Sequence, residues 1–223
     1  MQEYIDDLQY KGLVIIRSSE GLSYNADSVL LANFIRAKPG EKALDMCSGG
    51  GIIAVLASKK TGAHFTAAEI SPVLADMARR SIALNSQESD ISVINADIRE
   101  LHRLLGYESF DLAVCNPPYY TGGTQSPDPL KRDATHQCSC TVRDVAQCAS
   151  RMLRFGGRFY ICYPASGLCS VFSALSRAAL EPKKLLPVLA KHDSIPYLFL
   201  IECKKGGRPG LDILPSVILE DQK

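Results

Sequence analysis

Three features of this chain predict an α/β fold, a doubly wound and mostly parallel sheet with helices on both faces. Strand-like apolar runs alternate with helical periodicity from residue 41 to residue 203. A glycine turn, Gly49-Gly50-Gly51, joins the first strand of that alternation to its first helix. Asp45, Glu69, Asp97 and Asn116 fall at the ends of four successive strands, and hence along one edge of one sheet.

The elements follow in order. Leu13 to Arg17 is a short β-branched run, and Asn25-Ala26-Asp27-Ser28 supplies cap chemistry for a helix through Val29 to Ile35. Pro39-Gly40 closes this opening unit, so residues 1–40 are expected to form a short extension packed on a main domain of residues 41–223. Within that domain Ala43 to Met46 reads as a strand and Ile52 to Lys59 as a helix. His64 to Glu69 is a second strand, followed by a helix from Pro72 to Leu84 with proline in its first turn. Ile91 to Asn95, a short helix from Asp97 to Leu105, and Phe110 to Cys115 continue the alternation. Tyr119 to Cys140 has no clear periodicity and much Gly, Pro, Thr and Ser, the mark of a functional or mobile loop. Thr141 to Leu153 (helix), Gly157 to Tyr163 (strand) and Ala165 to Leu180 (helix) come next. Leu185 to Ala190 and Tyr197 to Cys203 are the last strands.

Composition limits the partners. The 223 residues carry 25 Lys+Arg against 24 Asp+Glu, so any nucleic-acid contact must come from local patches. No apolar run is long enough to span a bilayer, and the acidic start does not resemble a secretory signal. Eight cysteines without framework spacing fit a reducing cytoplasm. His136, Cys138 and Cys140 form one short cluster with no second ligand pair elsewhere, so free thiols and no metal are expected.

The candidate chemistry begins at Asn116-Pro117-Pro118-Tyr119, directly after a buried strand. The Asn carbonyl and a backbone carbonyl beside the prolines can both accept hydrogen bonds from an –NH2 group. Proline fixes φ and has no N–H, so the segment is stiff and rich in acceptors, and the Tyr119 face can stack on a flat ring. Upstream, the glycine turn lets the backbone approach a ligand and offers free N–H groups at a helix terminus. Its spacing departs from the strict dinucleotide pattern, with Ala54 at the sixth position, which leaves that motif ambiguous on its own. Glu69, about twenty residues on, stands where an acid binds ribose hydroxyls, and Asp97 is placed to receive an adenine amino group. Either acid alone reads more readily as a helix cap or a solvated side chain.

As a set, these residues resemble the class I S-adenosylmethionine-dependent methyltransferases over residues 41 to 165, and Asn-Pro-Pro-Tyr resembles their amino-methylating branch. The resemblance implies a Rossmann-like, seven-stranded sheet. It assigns Gly49 and Gly51 to the cofactor's amino acid part, with Asp45 beneath them. Glu69 falls to the ribose, and Asp97 with Ile98 to the adenine. Asp27-Ser-Val-Leu-Leu-Ala-Asn-Phe and the tail from Leu198 to Gly210 resemble more narrowly the bacterial enzymes that methylate N6 of the adenine beside the anticodon of valine tRNA. One segment departs from that pattern, Ala134-Thr135-His136-Gln137 standing where Ala-Arg-His-Glu is common.

The expected reaction is N6-methylation of adenine in RNA with S-adenosylmethionine as cofactor and tRNA as partner. Asn116, Pro117 and Tyr119 are its catalytic set. Pro118, Lys131, Arg132, Lys204, Lys205 and Arg208 are its RNA contacts, in a protein expected to be a monomer. A paired adenine cannot reach such a pocket, so the target must be flipped or already in a loop. The alternatives are methylation of a protein glutamine or of another nucleic-acid amine, such as an rRNA or DNA adenine. A nicotinamide-dependent dehydrogenase and a non-catalytic RNA-binding module complete the set. The dehydrogenase gives no reason for Asn-Pro-Pro-Tyr.

Overall fold

The computed structural model describes residues 2–18, 26–118 and 140–222. A two-stranded antiparallel ribbon opens the chain: β1 (Glu3–Asp7) on β2 (Val14–Ser18). Then come α1 (Ala26–Phe34), β3 (Lys42–Met46), α2 (Ile52–Thr61), β4 (His64–Glu69), α3 (Pro72–Leu84) and β5 (Ile91–Asn95). A 3-10 turn (Ile98–Glu100) leads into α4 (Leu101–Leu105) and β6 (Phe110–Cys115). After residue 140 the order is α5 (Val142–Met152), β7 (Leu153–Pro164), α6 (Leu168–Arg177), β8 (Leu180–Leu189), β9 (Leu198–Lys205), β10 (Asp212–Ile213) and β11 (Val217–Ile218).

The main sheet runs β10-β8-β9-β7-β6-β3-β4-β5, with β11 also beside β8. Its seven long strands, β3 to β9, are those expected, and the two-residue β10 and β11 extend it along β8. Among the described strands of this sheet, only β9 is antiparallel to its neighbours, β7 and β8. The carboxyl ends of β3, β4, β5, β6, β7 and β8 therefore share one edge, and β9 ends at the other.

Buried residues alternate between the faces of the sheet, as period-2 geometry requires. Leu112, Val114, Tyr160 and Cys162 pack against α1, α2 and α3 on one face. Ala113, Cys115, Phe159 and Ile161 pack against α4, α5 and α6 on the other. Leu8, Leu13 and Ile15 of the opening ribbon and Leu30, Leu31 and Ile35 join the first of these clusters. The helix boundaries follow local chemistry: Ser71 caps α3 ahead of Pro72, and Thr141 with Asp144 forms a reciprocal capping box on α5.

Besides β10 and β11, four elements differ from the sequence reading. The ribbon strand β1 was not expected, because Glu3-Tyr4-Ile5-Asp6-Asp7 is too acidic to read as a strand and is ordered by its hairpin partner. β7 starts at Leu153, ahead of the glycines that mask it; Gly156 has φ 78° and the register with β6 shifts there. β8 starts at Leu180 and absorbs Pro182 at a shift in its pairing with β9. α6 is shorter than expected, beginning after a 3-10 turn and ending before Ala179, which has φ 55°.

Candidate active site

The glycine turn is held from below by two carboxylates. Asp45, at the end of β3, is fully buried, and its Oδ2 accepts the Ser48 hydroxyl at 2.8 Å. Among the described residues its Oδ1 has no hydrogen-bond partner. Burial pushes the Asp45 carboxyl up to about 7. Glu69, at the end of β4, is 5 % exposed and accepts the Gly49 N–H at 2.8 Å and the Ser71 N–H at 2.9 Å. It thus ties the glycine turn to the start of α3.

Gly49 and Gly51 have φ 56° and 88°, the left-handed region where a side chain is strained. The two differ in surroundings. A Cβ on Gly51 would lie 3.2 Å from the Ala78 Cβ, whereas one on Gly49 would meet nothing within 4 Å. The open space above Gly49, the buried carboxyl oxygen without a partner and the positive-φ turn fit the amino acid end of S-adenosylmethionine.

Asp97 caps the 3-10 turn after β5, and its Oδ1 accepts the Arg99 N–H at 2.9 Å. The Arg99 guanidinium also grips both carboxyl oxygens, and this hydrogen bonding holds the Asp97 carboxyl below its ordinary value. The acid expected to meet an adenine amine is therefore engaged by a neighbour two residues on. Ile98 is 5 % exposed and packs into the cluster with Leu44, Met46 and Leu101, so its side chain serves the core. A cavity of about 360 Å³ opens beside this turn, between α4 and α5, with Arg99, His102, Arg103 and Arg151 on its walls.

Asn116 follows β6 directly. Leu112 and Val114 face the α1 side, and period 2 brings Asn116 to the same face. Its Nδ2 donates to the Ser28 hydroxyl at 2.8 Å, and its Oδ1 accepts from the Cys162 thiol at 3.0 Å. Ser28 and its neighbour Asp27 lie in the first turn of α1, 6 % and 8 % exposed. The Tyr197 hydroxyl donates to Asp27 Oδ1 at 3.2 Å, and burial raises the Asp27 carboxyl above its usual range. Tyr197 is itself fixed by its backbone to the ends of β7 and β8, through Ala165 N–H to Tyr197 O and Tyr197 N–H to Val188 O. Pro117 is buried and Pro118 half-buried.

Asp45, Glu69, Asp97 and Asn116 thus share one edge of the sheet with Gly49 and Gly51. Tyr119, Lys131 and Arg132 lie outside the described residues, as do His136 and Cys138. Cys140 stands 3.6 Å from Cys47 at the glycine turn, and the described residues hold no His/Cys/Asp/Glu group suited to a metal.

The basic turn does not join this edge. Lys204 pairs with Arg158, four residues before Cys162 on β7, about 13 Å down the strand at ordinary rise. Lys205 and Arg208 follow it in the chain, and Lys183 of β8 donates to the Arg208 carbonyl at 3.2 Å. The Lys205 ammonium is engaged with Glu108 at 2.8 Å and with the Leu153 carbonyl at 2.7 Å. These three residues therefore lie away from Asn116, because β9 runs antiparallel and delivers its end to the far side of the sheet.

Ser28, Cys162 and Tyr197 were absent from the expected site. Cys162 was legible in principle, because extending the β6–β7 register by one residue places it opposite Asn116. Ser28 and Tyr197 depend on how α1 and the β8–β9 connection pack, which no local pattern reports.

The methyltransferase small domain family model matches residues 23–165. Curated relatives named tRNA1(Val) (adenine(37)-N6)-methyltransferase include one from Shewanella woodyi, 24 % identical over 82 % of this chain and 77 % of its own length. Another, from Bacteroides thetaiotaomicron, is 26 % identical over 86 % and 81 %. Among solved structures, a predicted O-methyltransferase from Agrobacterium tumefaciens superposes with a TM-score of 0.70 at 20 % identity, covering 86 % of each chain. Geranyl diphosphate C-methyltransferase from Streptomyces coelicolor, solved with Mg2+, geranyl diphosphate and S-adenosyl-L-homocysteine, superposes at 0.59 with 14 % identity, covering 81 % of this chain and 78 % of its own.

Proposed function

The chain belongs to the methyltransferase small domain family, and on that premise we propose that it methylates N6 of an adenine in RNA, the adenine beside the anticodon of a valine-type tRNA. The observation that carries this reading is Asn116, held by side-chain hydrogen bonds at the sheet edge that also bears the glycine turn and Glu69. The names of the curated relatives support the nucleobase and the tRNA.

S-adenosylmethionine, when bound, supplies a methyl group activated by a sulfonium centre. Gly49, Gly51, Asp45 and Glu69 are assigned to hold it, and Asp97 is assigned to its adenine end. The Asn116 side-chain oxygen and the Pro117 carbonyl accept the two N–H bonds of the target amine. That grip turns the nitrogen lone pair out of conjugation with the ring and toward the glycine-turn side of the edge. Tyr119, by its place in the motif, gives the base a stacking face. The proton leaves after the nitrogen is alkylated, so no strong base acts first. The rate advantage is one of orientation, for which effective molarities are large.

The test is transfer of label from S-adenosylmethionine to a pool of unmodified bacterial tRNA transcripts, followed by nucleoside analysis. Labelled N6-methyladenosine in the valine acceptor is the expected product. Label confined to ribosomal RNA or to protein would discard the tRNA and keep the methyl transfer.

A further inference from the structure

A primary amide has a donor end and an acceptor end of nearly the same shape, and only the acceptor end can receive an amine proton. A site that uses Asn to grip an –NH2 group therefore has to hold the amide against rotation. In this protein the Asn116 nitrogen end meets the Ser28 hydroxyl at 2.8 Å, while the oxygen end meets the Cys162 thiol at 3.0 Å. Ser28 is a firm post. It is 6 % exposed, in the first turn of a helix fixed at both ends. At the near end the Tyr197 hydroxyl reaches Asp27 at 3.2 Å. At the far end Phe34 packs edge-on against Tyr160 at 5.9 Å between centroids, and the Tyr160 hydroxyl donates to the Arg36 carbonyl at 3.1 Å. Tyr160 and Cys162 stand on the same face of β7, so one strand anchors both the helix and the oxygen end of the amide.

We infer that Ser28 is a positioning residue for methyl transfer: its side-chain oxygen holds the nitrogen end of the Asn116 amide, so that the oxygen end, which accepts the Cys162 thiol with one lone pair, keeps its second lone pair for the target amine. This role rests on the reading of Asn116 as the amine acceptor. It assigns to the Asp27-Ser28 pair a task that neither the glycine turn nor the Asn-Pro-Pro-Tyr segment performs. Removing the hydroxyl takes the Ser28 hydrogen bond from the Asn116 nitrogen, and an amide that then rotates turns a donor toward a donor.

The experiment compares wild type, Ser28→Ala and Ser28→Thr, each with Asn116 and with Asn116→Asp. It uses labelled S-adenosylmethionine and the same tRNA transcript pool. Melting temperature and S-adenosylhomocysteine affinity are read in parallel. Ser28→Ala is expected to lower kcat about 10- to 100-fold with KM and cofactor affinity unchanged, because a small misplacement of an orienting group has costs of that size. Ser28→Thr, which keeps the hydroxyl, retains most of the rate. A carboxylate has no nitrogen end to misplace, so in the Asn116→Asp background the Ser28→Ala penalty shrinks to about threefold or less, a coupling that a double-mutant cycle reads directly. An unchanged kcat in Ser28→Ala, or a fall of equal size in both backgrounds, overturns the inference and leaves the methyl-transfer reading standing. Absence of N6-methyladenosine with wild type overturns that reading and the inference with it.

Discussion

At the scale of single residues, Asn116 and Asp45 make opposite demands on their surroundings. In the proposed reaction Asn116 acts by hydrogen bonding to substrate. Asn116→Ala is therefore expected to lower kcat by about 10²- to 10³-fold, the usual cost of deleting one preorganised polar partner. Calorimetric affinity for S-adenosylhomocysteine should stay at its wild-type value. Strong residual turnover would remove Asn116 from the reaction. Asp45 instead titrates. Its carboxyl is raised from 3.8 to about 7 by burial. A raised carboxyl favours the folded state fully below about pH 4, and that contribution is lost as pH climbs through about 7. The Asp45→Asn variant should accordingly gain melting temperature on wild type between pH 4 and pH 8. A constant difference across that range would show that Asp45 does not titrate there. An ammonium group from the cofactor favours the charged carboxylate, so S-adenosylhomocysteine should bind more tightly as pH rises to about 7. Its binding enthalpy should depend on buffer ionisation, and both effects should vanish in Asp45→Asn.

At the scale of elements, the glycine turn separates folding from binding. Gly51 is the N-cap residue of α2 at φ 88°, and an added Cβ would press on Ala78 at 3.2 Å. Gly51→Ala should destabilise the fold by about 2 kcal/mol, combining left-handed strain with overpacking. Gly49→Ala bears strain without a clash, so about 1 kcal/mol is expected. Its new methyl group enters the open space proposed for the cofactor, and the affinity for S-adenosylhomocysteine should fall at least as far as in Gly51→Ala. Denaturant melts and calorimetry on the two variants separate the effects. The same turn marks where the sequence was legible. β3 to β6 and their helices carry strong periodicity, caps and breakers, and the observed bounds of β4, α3, β5 and β6 match the sequence reading. Elements shaped by pairing were harder to read. β1 is a strand because β2 lies beside it, and β10 and β11 are two-residue strands that exist only along β8. The contact between Ser28 and Asn116 spans 88 residues, so it belongs to packing and leaves no trace in local spacing.

At the scale of the whole molecule, the edge proposed for chemistry and the basic turn occupy opposite ends of the strands. The reversal of β9 is the cause: Leu198 pairs with Pro164 at the reactive edge, and Lys204 pairs with Arg158 far from it. In ordinary salt an exposed charge is screened within about 8 to 10 Å. Lys204 lies farther than that from Asn116, and Lys205 is occupied by Glu108. Lys131 and Arg132 belong to the segment between Pro118 and Cys140, and both flanks of that segment sit at the reactive edge. On the proposed function these two cations are the RNA contacts to test. Reversing both charges, Lys131→Glu with Arg132→Glu, should raise KM for tRNA and reduce the slope of log affinity against log salt by about 2, one for each phosphate contact. The pair Lys204→Glu with Arg208→Glu should leave both quantities within about twofold, since sites beyond a Debye length are largely screened. Salt titrations of tRNA binding on the two double variants decide the matter. Equal losses from both would mean that the RNA wraps the full height of the sheet. A loss only from the Lys204 pair would place its path along the end of the strands opposite Asn116, and the edge assigned to chemistry would then have to be reached by the target base alone.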